Sequence, residues 1–193
     1  SREVTTVGLY GKSWSRKQVI THPLFWFMLP ALIGPSACVT SFFFQQVYFA
    51  EIKGWTHLQL VTLFPLYTLV AIVFNLVSGW ALDKFGLARI LPYYQIPMIF
   101  AFILFYYVST QVGLALGLCF LAISSGANST LPTAFWAQYY GTQFLGAIKA
   151  LGTAIMVLGS AIGPGMTGQL IDLGFGMETQ YFIFGLFFMF STI

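Results

Sequence analysis

Charge is what this sequence has least of. Only 7% of its 193 residues are Asp, Glu, Lys or Arg, too few to coat the surface of a water-soluble domain of this size. The basic residues are scattered and the net charge is +3, so no tract is available to follow a phosphate backbone, and nucleic-acid binding has no support. Cysteine is almost absent. Cys38 and Cys119 both fall inside apolar runs, where thiols act as small buried hydrophobes, and they make no CxxC or zinc-ligand spacing. His22 and His57 lie in connections, and no His, Asp, Glu or Cys set recurs at metal-ligand or triad spacing. Neither a metal, a cofactor nor an enzyme therefore has residues to stand on. The opening residues are polar and basic, without the apolar core and small-residue cleavage site of a secretory signal.

What fills the chain is apolar: 58% hydrophobic residues with 21 Phe and 10 Tyr, and a mean hydropathy of +0.83. Such a chain needs lipid as its solvent. The runs 24–50, 58–82, 90–110, 112–133 and 144–171 are each long enough as helices to cross a hydrocarbon core of ~30 Å. Their one charged side chain is Lys149, near an end, where a long stem can snorkel to the headgroups. A last run, 181–193, would span only ~20 Å as a helix and reads as a sixth span cut short. The chain starts without Met and stops inside an apolar run, which suggests a fragment. Barrel strands would alternate polar and apolar over about ten residues, so the reading is an all-α membrane protein, a bundle of about six transmembrane helices. Prolines such as Pro30, Pro35, Pro132 and Pro164 predict kinks whose freed carbonyls neighbouring helices can satisfy.

Orientation follows from the basic residues, which are retained on the cytoplasmic side of membrane helices. With a cytoplasmic N-terminus, that side holds Arg2, Lys12, Arg16, Lys17, Lys84, Arg89 and Lys149, and the other side holds only Lys53. Residues 1–23 are then a cytoplasmic loop and 24–193 a helical membrane domain, multi-pass and expected in the plasma (inner) membrane. Short connections leave no room for an extramembrane catalytic domain, so function must lie within the bundle.

The stretch Gly79-Trp-Ala-Leu-Asp83-Lys84-Phe-Gly86-Leu-Ala-Arg89 places Gly, Asp, Lys, Gly and Arg on the cytoplasmic turn between the second and third spans. Gly79 would permit close helix approach, Gly86 a positive φ, and Asp83 a pairing with a cation or a helix N-terminus. An ordinary basic loop with a turn glycine accounts for the same residues. The stretch resembles the G-x-x-x-D-(R/K)-x-G-x-x-(R/K) signature of the major facilitator superfamily, which occurs between helices two and three and again between eight and nine. The resemblance implies a latch on the cytoplasmic face made by Asp83, Lys84 and Arg89, with Gly79 and Gly86 shaping the turn. Leu87 and Ala88 depart from the pattern, since these positions are often basic.

In the fifth span, Gly159, Gly163, Pro164 and Gly168 form a small-residue face with a proline in it, which serves either as a packing face or as a gating hinge. Gly163, Gly165 and Gly168 also satisfy G-x-G-x-x-G, but no βαβ unit is present to make a dinucleotide site. The segment resembles the proline-glycine motif of helix five in antiporters of that family. Three other segments resemble the second half instead: Trp14 to Trp26 the loop into helix seven, Phe44 to Trp55 the outer end of that helix, and Phe135 to Gly141 the passage from helix ten to eleven. The spans are therefore read as helices seven to twelve, the last truncated, with the N-terminal six-helix half of the same transporter as the missing partner.

Polar side chains within the spans are few, and each serves either a helix-helix hydrogen bond or a cavity. The family's pattern of cavity-lining helices implies that Gln45, Gln46, Tyr67, Asn75 and Asn128 face a substrate. Gln45 stands where relatives often carry His. Asn128-Ser-Thr130 is formally a glycosylation sequon, too deep in the fourth span for the acceptor machinery. No carboxylate lies within the spans, so a proton relay would have to sit elsewhere. The expected function is transport of a small solute by a secondary carrier that rocks two six-helix halves about a central site. The alternative is a sensor or assembly subunit that keeps the fold without transporting. The substrate itself is not legible here.

Overall fold

The computed structural model describes residues 6–192, so Arg2 and Ile193 lie outside it. After a short 3-10 turn at Leu9–Gly11, the helices are α1 (Arg16–Thr21), α2 (Pro23–Phe44), α3 (Gln46–Ile52), α4 (His57–Val61), α5 (Phe64–Phe85), α6 (Leu87–Ile90), α7 (Ile96–Tyr107), α8 (Gln111–Tyr140), α9 (Leu145–Asp172) and α10 (Met177–Ser191). No strand occurs among the described residues. The chain is an all-helical membrane bundle. Local chemistry sets the starts: Gln18 Oε1 accepts the Ser15 N–H at 2.9 Å, Gln59 Oε1 accepts the Thr56 N–H at 2.9 Å, and Thr110 Oγ1 accepts the Gly113 N–H at 3.2 Å.

The expected spans are all helical, but their bounds differ. Run 24–50 is two helices, because the chain breaks at Gln45 (φ −92°, ψ 9°). Run 58–82 divides between α4 and α5, and α5 continues through Phe85 to stop at Gly86, whose φ of 79° suits glycine. Asp83 and Lys84 are therefore helical and do not form the turn. Run 90–110 contains only the 12-residue α7, about 18 Å long, because Leu91–Gln95 make turns before it. Run 112–133 extends to Tyr140, since nothing stops a helix before Gly141 (φ 84°). The final run starts earlier, at Met177, where Glu178 sits favourably in the first turn. Four segments are long and apolar enough to cross a membrane: Pro23–Phe44, His57–Phe85, Gln111–Tyr140 and Leu145–Asp172.

The bundle is built from pairs. α5 lies along α8, α2 along α9, and α7 is held between α8 and α10, while α10 also touches α2. Two cores result. One joins Phe42, Phe49, Phe102, Phe105, Tyr181 and Phe188; the other, at the opposite end, joins Val19, Phe25, Leu87, Leu131, Trp136 and Tyr140. Glycine sets the closest approaches. A Cβ on Gly163 would stand 2.5 Å from the Ala37 carbonyl oxygen and one on Gly159 3.1 Å from that of Ile33, so this face of α9 lies on the α2 backbone. Gly126 meets the α5 backbone at Ala71 and Asn75 in the same way.

Candidate functional site

The end of the bundle that carries Lys12, Arg16, Lys17, Lys84, Arg89 and Lys149 is assembled around the C-terminus of α8. The segment before α1 straps across that helix end. The Trp14 N–H donates to the Tyr140 carbonyl at 3.1 Å, and the Thr142 N–H to the Thr6 carbonyl at 3.0 Å. Tyr140 OH lies 3.3 Å from His22 Nδ1, and the Trp14 ring meets the His22 ring edge-on at 4.8 Å. Nothing in the spacing of the sequence announces this strap, because it depends on a backbone approach across more than a hundred residues.

On the same end, the latch residues are arranged openly. Asp83, Lys84, Gly86 and Arg89 are exposed, and Asp83 and Arg89 have no ion-pair partner among the described residues. The Lys84 ammonium stands 4.8 Å from the Trp80 ring centroid and 5.4 Å from that of Phe85, a cation–π arrangement made within its own helix. Gly79 has open space where a Cβ would go, so its expected role in close helix approach has no counterpart among the described residues. Leu87 is 1% exposed in the core beside Tyr94 and Leu131. The departure from a basic residue there has a physical reason, since a cation in that position would be buried without a partner.

The polar residues expected to face a substrate fall into two sets. Tyr67 and Asn75 line a cleft of about 350 Å³ between α5 and α8, and both are engaged across it. Tyr67 OH donates to Ser125 Oγ at 3.0 Å, and the Asn75 amide donates to Ser129 while accepting from Thr130 Oγ1 at 3.4 Å. They join the two helices. Ser129 and Thr130, set aside in the sequence with the sequon, are thus part of this network; the four-residue spacing of Ser125 and Ser129 is the signal that marks their common face.

Gln46 and Asn128 form the second set. Gln46 Oε1 and Asn128 Oδ1 are buried without a hydrogen-bond partner among the described residues. At Asn128 the deficit is larger, because Pro132 within α8 lacks the N–H that the Asn128 carbonyl would meet in a regular helix. Buried acceptors left open cost free energy and call for an occupant or a role. Gln45 stands at the α2–α3 break with its amide nitrogen 3.5 Å from the position of a Cβ on Gly168. Pro164 lies inside α9 without ending it.

At the far end, Lys53 donates to the Glu178 carboxylate and, at 3.2 Å, to the Tyr106 carbonyl. It joins α3 to α7 and α10. Neither partner is predictable from the sequence, since both are distant along the chain.

Against known proteins, the family model described as Major Facilitator Superfamily matches residues 2–164. No curated protein and no solved structure matches the chain. The match covers most of the sequence and includes the latch stretch, both helices of the α5–α8 cleft and, of the small-residue face of α9, Gly159, Gly163 and Pro164. The chain belongs to the major facilitator superfamily of membrane transporters.

Proposed function

We propose that this chain is the second six-helix half of a secondary carrier, which moves a small solute by rocking against a first six-helix half around a central site. The observation that carries the reading is that Gln46 Oε1 and Asn128 Oδ1, two of the polar residues expected to face a substrate, are buried acceptors without a hydrogen-bond partner among the described residues, as are Gln180 Oε1 and Tyr181 OH in α10. A solute with hydroxyl, amine or amide donors would complete the first two. The exposed Asp83 and Arg89 support a latch that closes on another part of the full protein. The basic end faces the cytoplasm in this reading, in the plasma (inner) membrane.

A second reading, a non-transporting sensor or assembly subunit, draws support from Tyr67 and Asn75, whose polar atoms are committed to helix pairing. Uptake into liposomes holding the full-length protein separates the two. A carrier takes up one class of solute from a broad panel, and Asn128→Leu lowers that uptake about tenfold, the effect of one lost hydrogen bond to a bound solute. Absence of flux for every solute in the panel would support the sensor.

A further inference from the structure

Pro35 stands inside α2 and has no N–H, so the Ala31 carbonyl loses its helical partner. Two side chains replace it. Tyr94 OH donates to the Ala31 oxygen at 3.1 Å and Gln95 Nε2 at 2.9 Å. The second N–H of Gln95 goes to Tyr94 OH at 2.9 Å, and Gln95 Oε1 accepts from Ser191 Oγ at 3.3 Å. The Tyr94 carbonyl accepts from Ser124 Oγ at 3.2 Å. Every polar atom of the two side chains is thus used, and Tyr94 and Gln95 are only 7% and 2% exposed. A fully satisfied buried network of this kind fixes geometry more firmly than apolar contacts do.

The placement of these two residues gives the network its meaning. Tyr94 and Gln95 end the connection that starts at Gly86, carries Arg89 and is anchored by buried Leu87. Their acceptor lies one turn before Pro35, where a proline inside a helix bends its axis, and α2 beyond it ends at Phe44, next to the break at Gln45 and the start of α3 at Gln46. From Pro35 to Gln45 is about 15 Å of helix, so a 10° change in the bend would move Gln45 by about 3 Å. Ser124, next to the Ser125 that holds Tyr67, ties the same network to α8.

We infer that Tyr94 and Gln95 form a strut that sets the bend of α2 at Pro35 and couples movement of the connection from α5 to α7 to the position of Gln45 and Gln46. They are positioning residues. The inference rests on the reading of the Asp83 stretch as a latch that moves. It requires two sites and one shared element whose geometry both bias, here the bend of α2.

The test is a double-mutant cycle on the full-length protein in lipid nanodiscs. A cysteine introduced as Gln45→Cys, in a background without other cysteines, is labelled with a maleimide, and the latch is perturbed by Asp83→Asn. With the strut intact, Asp83→Asn changes the labelling rate about fivefold. With Gln95→Leu, or with Tyr94→Phe, which removes one hydroxyl and keeps the ring, Asp83→Asn changes it less than about twofold. Ser191→Ala, at the edge of the network, keeps the full response. An equal response to Asp83→Asn with and without Tyr94→Phe overturns the strut and leaves the latch standing. No response to Asp83→Asn in any background overturns both.

Discussion

At the scale of single residues, what decides the effect of a change is whether the neighbouring group can move. Gly163 and Gly79 are both glycines in long helices of this bundle, yet a Cβ on the first would stand 2.5 Å from a backbone oxygen and one on the second would meet nothing. Gly163→Val is therefore expected to destabilise the folded protein by about 1–3 kcal/mol through overpacking. Gly79→Ala is expected to be neutral or stabilising by up to about 1 kcal/mol, because it removes backbone entropy from the unfolded chain. Thermal unfolding of the two variants in one detergent should separate them. Lys53 offers a second residue-scale case. Its side chain is 8% exposed while that of Glu178 is 48% exposed, so solvent screens the carboxylate and the ion pair itself contributes little. Lys53→Ala should cost about 1 kcal/mol, mainly from the Tyr106 carbonyl it leaves without its donor, and the same unfolding measurement reads it.

At the scale of elements, the pairings are governed by small residues and by hydrogen bonds at one depth. Gly126 lets α8 lie against the α5 backbone at Ala71 and Asn75, and that closeness brings Tyr67 to Ser125 and Asn75 to Ser129. A larger residue would push the helices apart and break both bonds together. Gly126→Leu is therefore expected to abolish disulfide formation between cysteines introduced as Asn75→Cys and Ser129→Cys, which should form readily with Gly126 in place. Crosslinking that proceeds equally in both backgrounds would show that the α5–α8 distance does not depend on this glycine. Proline acts on the same scale. Pro35 and Pro132 sit inside helices that continue past them, and the difference between them is what answers the freed carbonyl: two buried donors at Ala31, and at Asn128 an acceptor oxygen left open beside it.

At the scale of the whole molecule, charge is divided between the two ends. Lys12, Arg16, Lys17, Lys84, Arg89 and Lys149 share one end, and Glu51, Asp172 and Glu178 share the other with Lys53. In cells, a cysteine placed at Arg89 should react with a membrane-impermeant maleimide only after the membrane is opened, and one placed at His57 should react from outside. The reverse pattern would overturn the orientation and with it the cytoplasmic latch.

The sequence by itself determined the solvent and the class of fold. Continuous apolar runs and scarce charge require lipid-embedded helices, because backbone groups in hydrocarbon must be satisfied within their own segment. The Gly79 to Arg89 stretch and the family it resembles were likewise readable, since signature residues occupy one local connection. Helix bounds were less so. The break at Gln45 and the shortness of α7 follow from packing and from turns at Leu91–Gln95 that hydropathy does not register. Only the tertiary structure decided which polar residues are occupied. Tyr67 and Asn75 looked equivalent to Gln46 and Asn128 along the chain, but the first two bond across α5 and α8 and the last two keep open oxygens. The physical reason is that a hydrogen bond between helices depends on the distance and register of two separate segments, which composition and spacing within one segment do not fix.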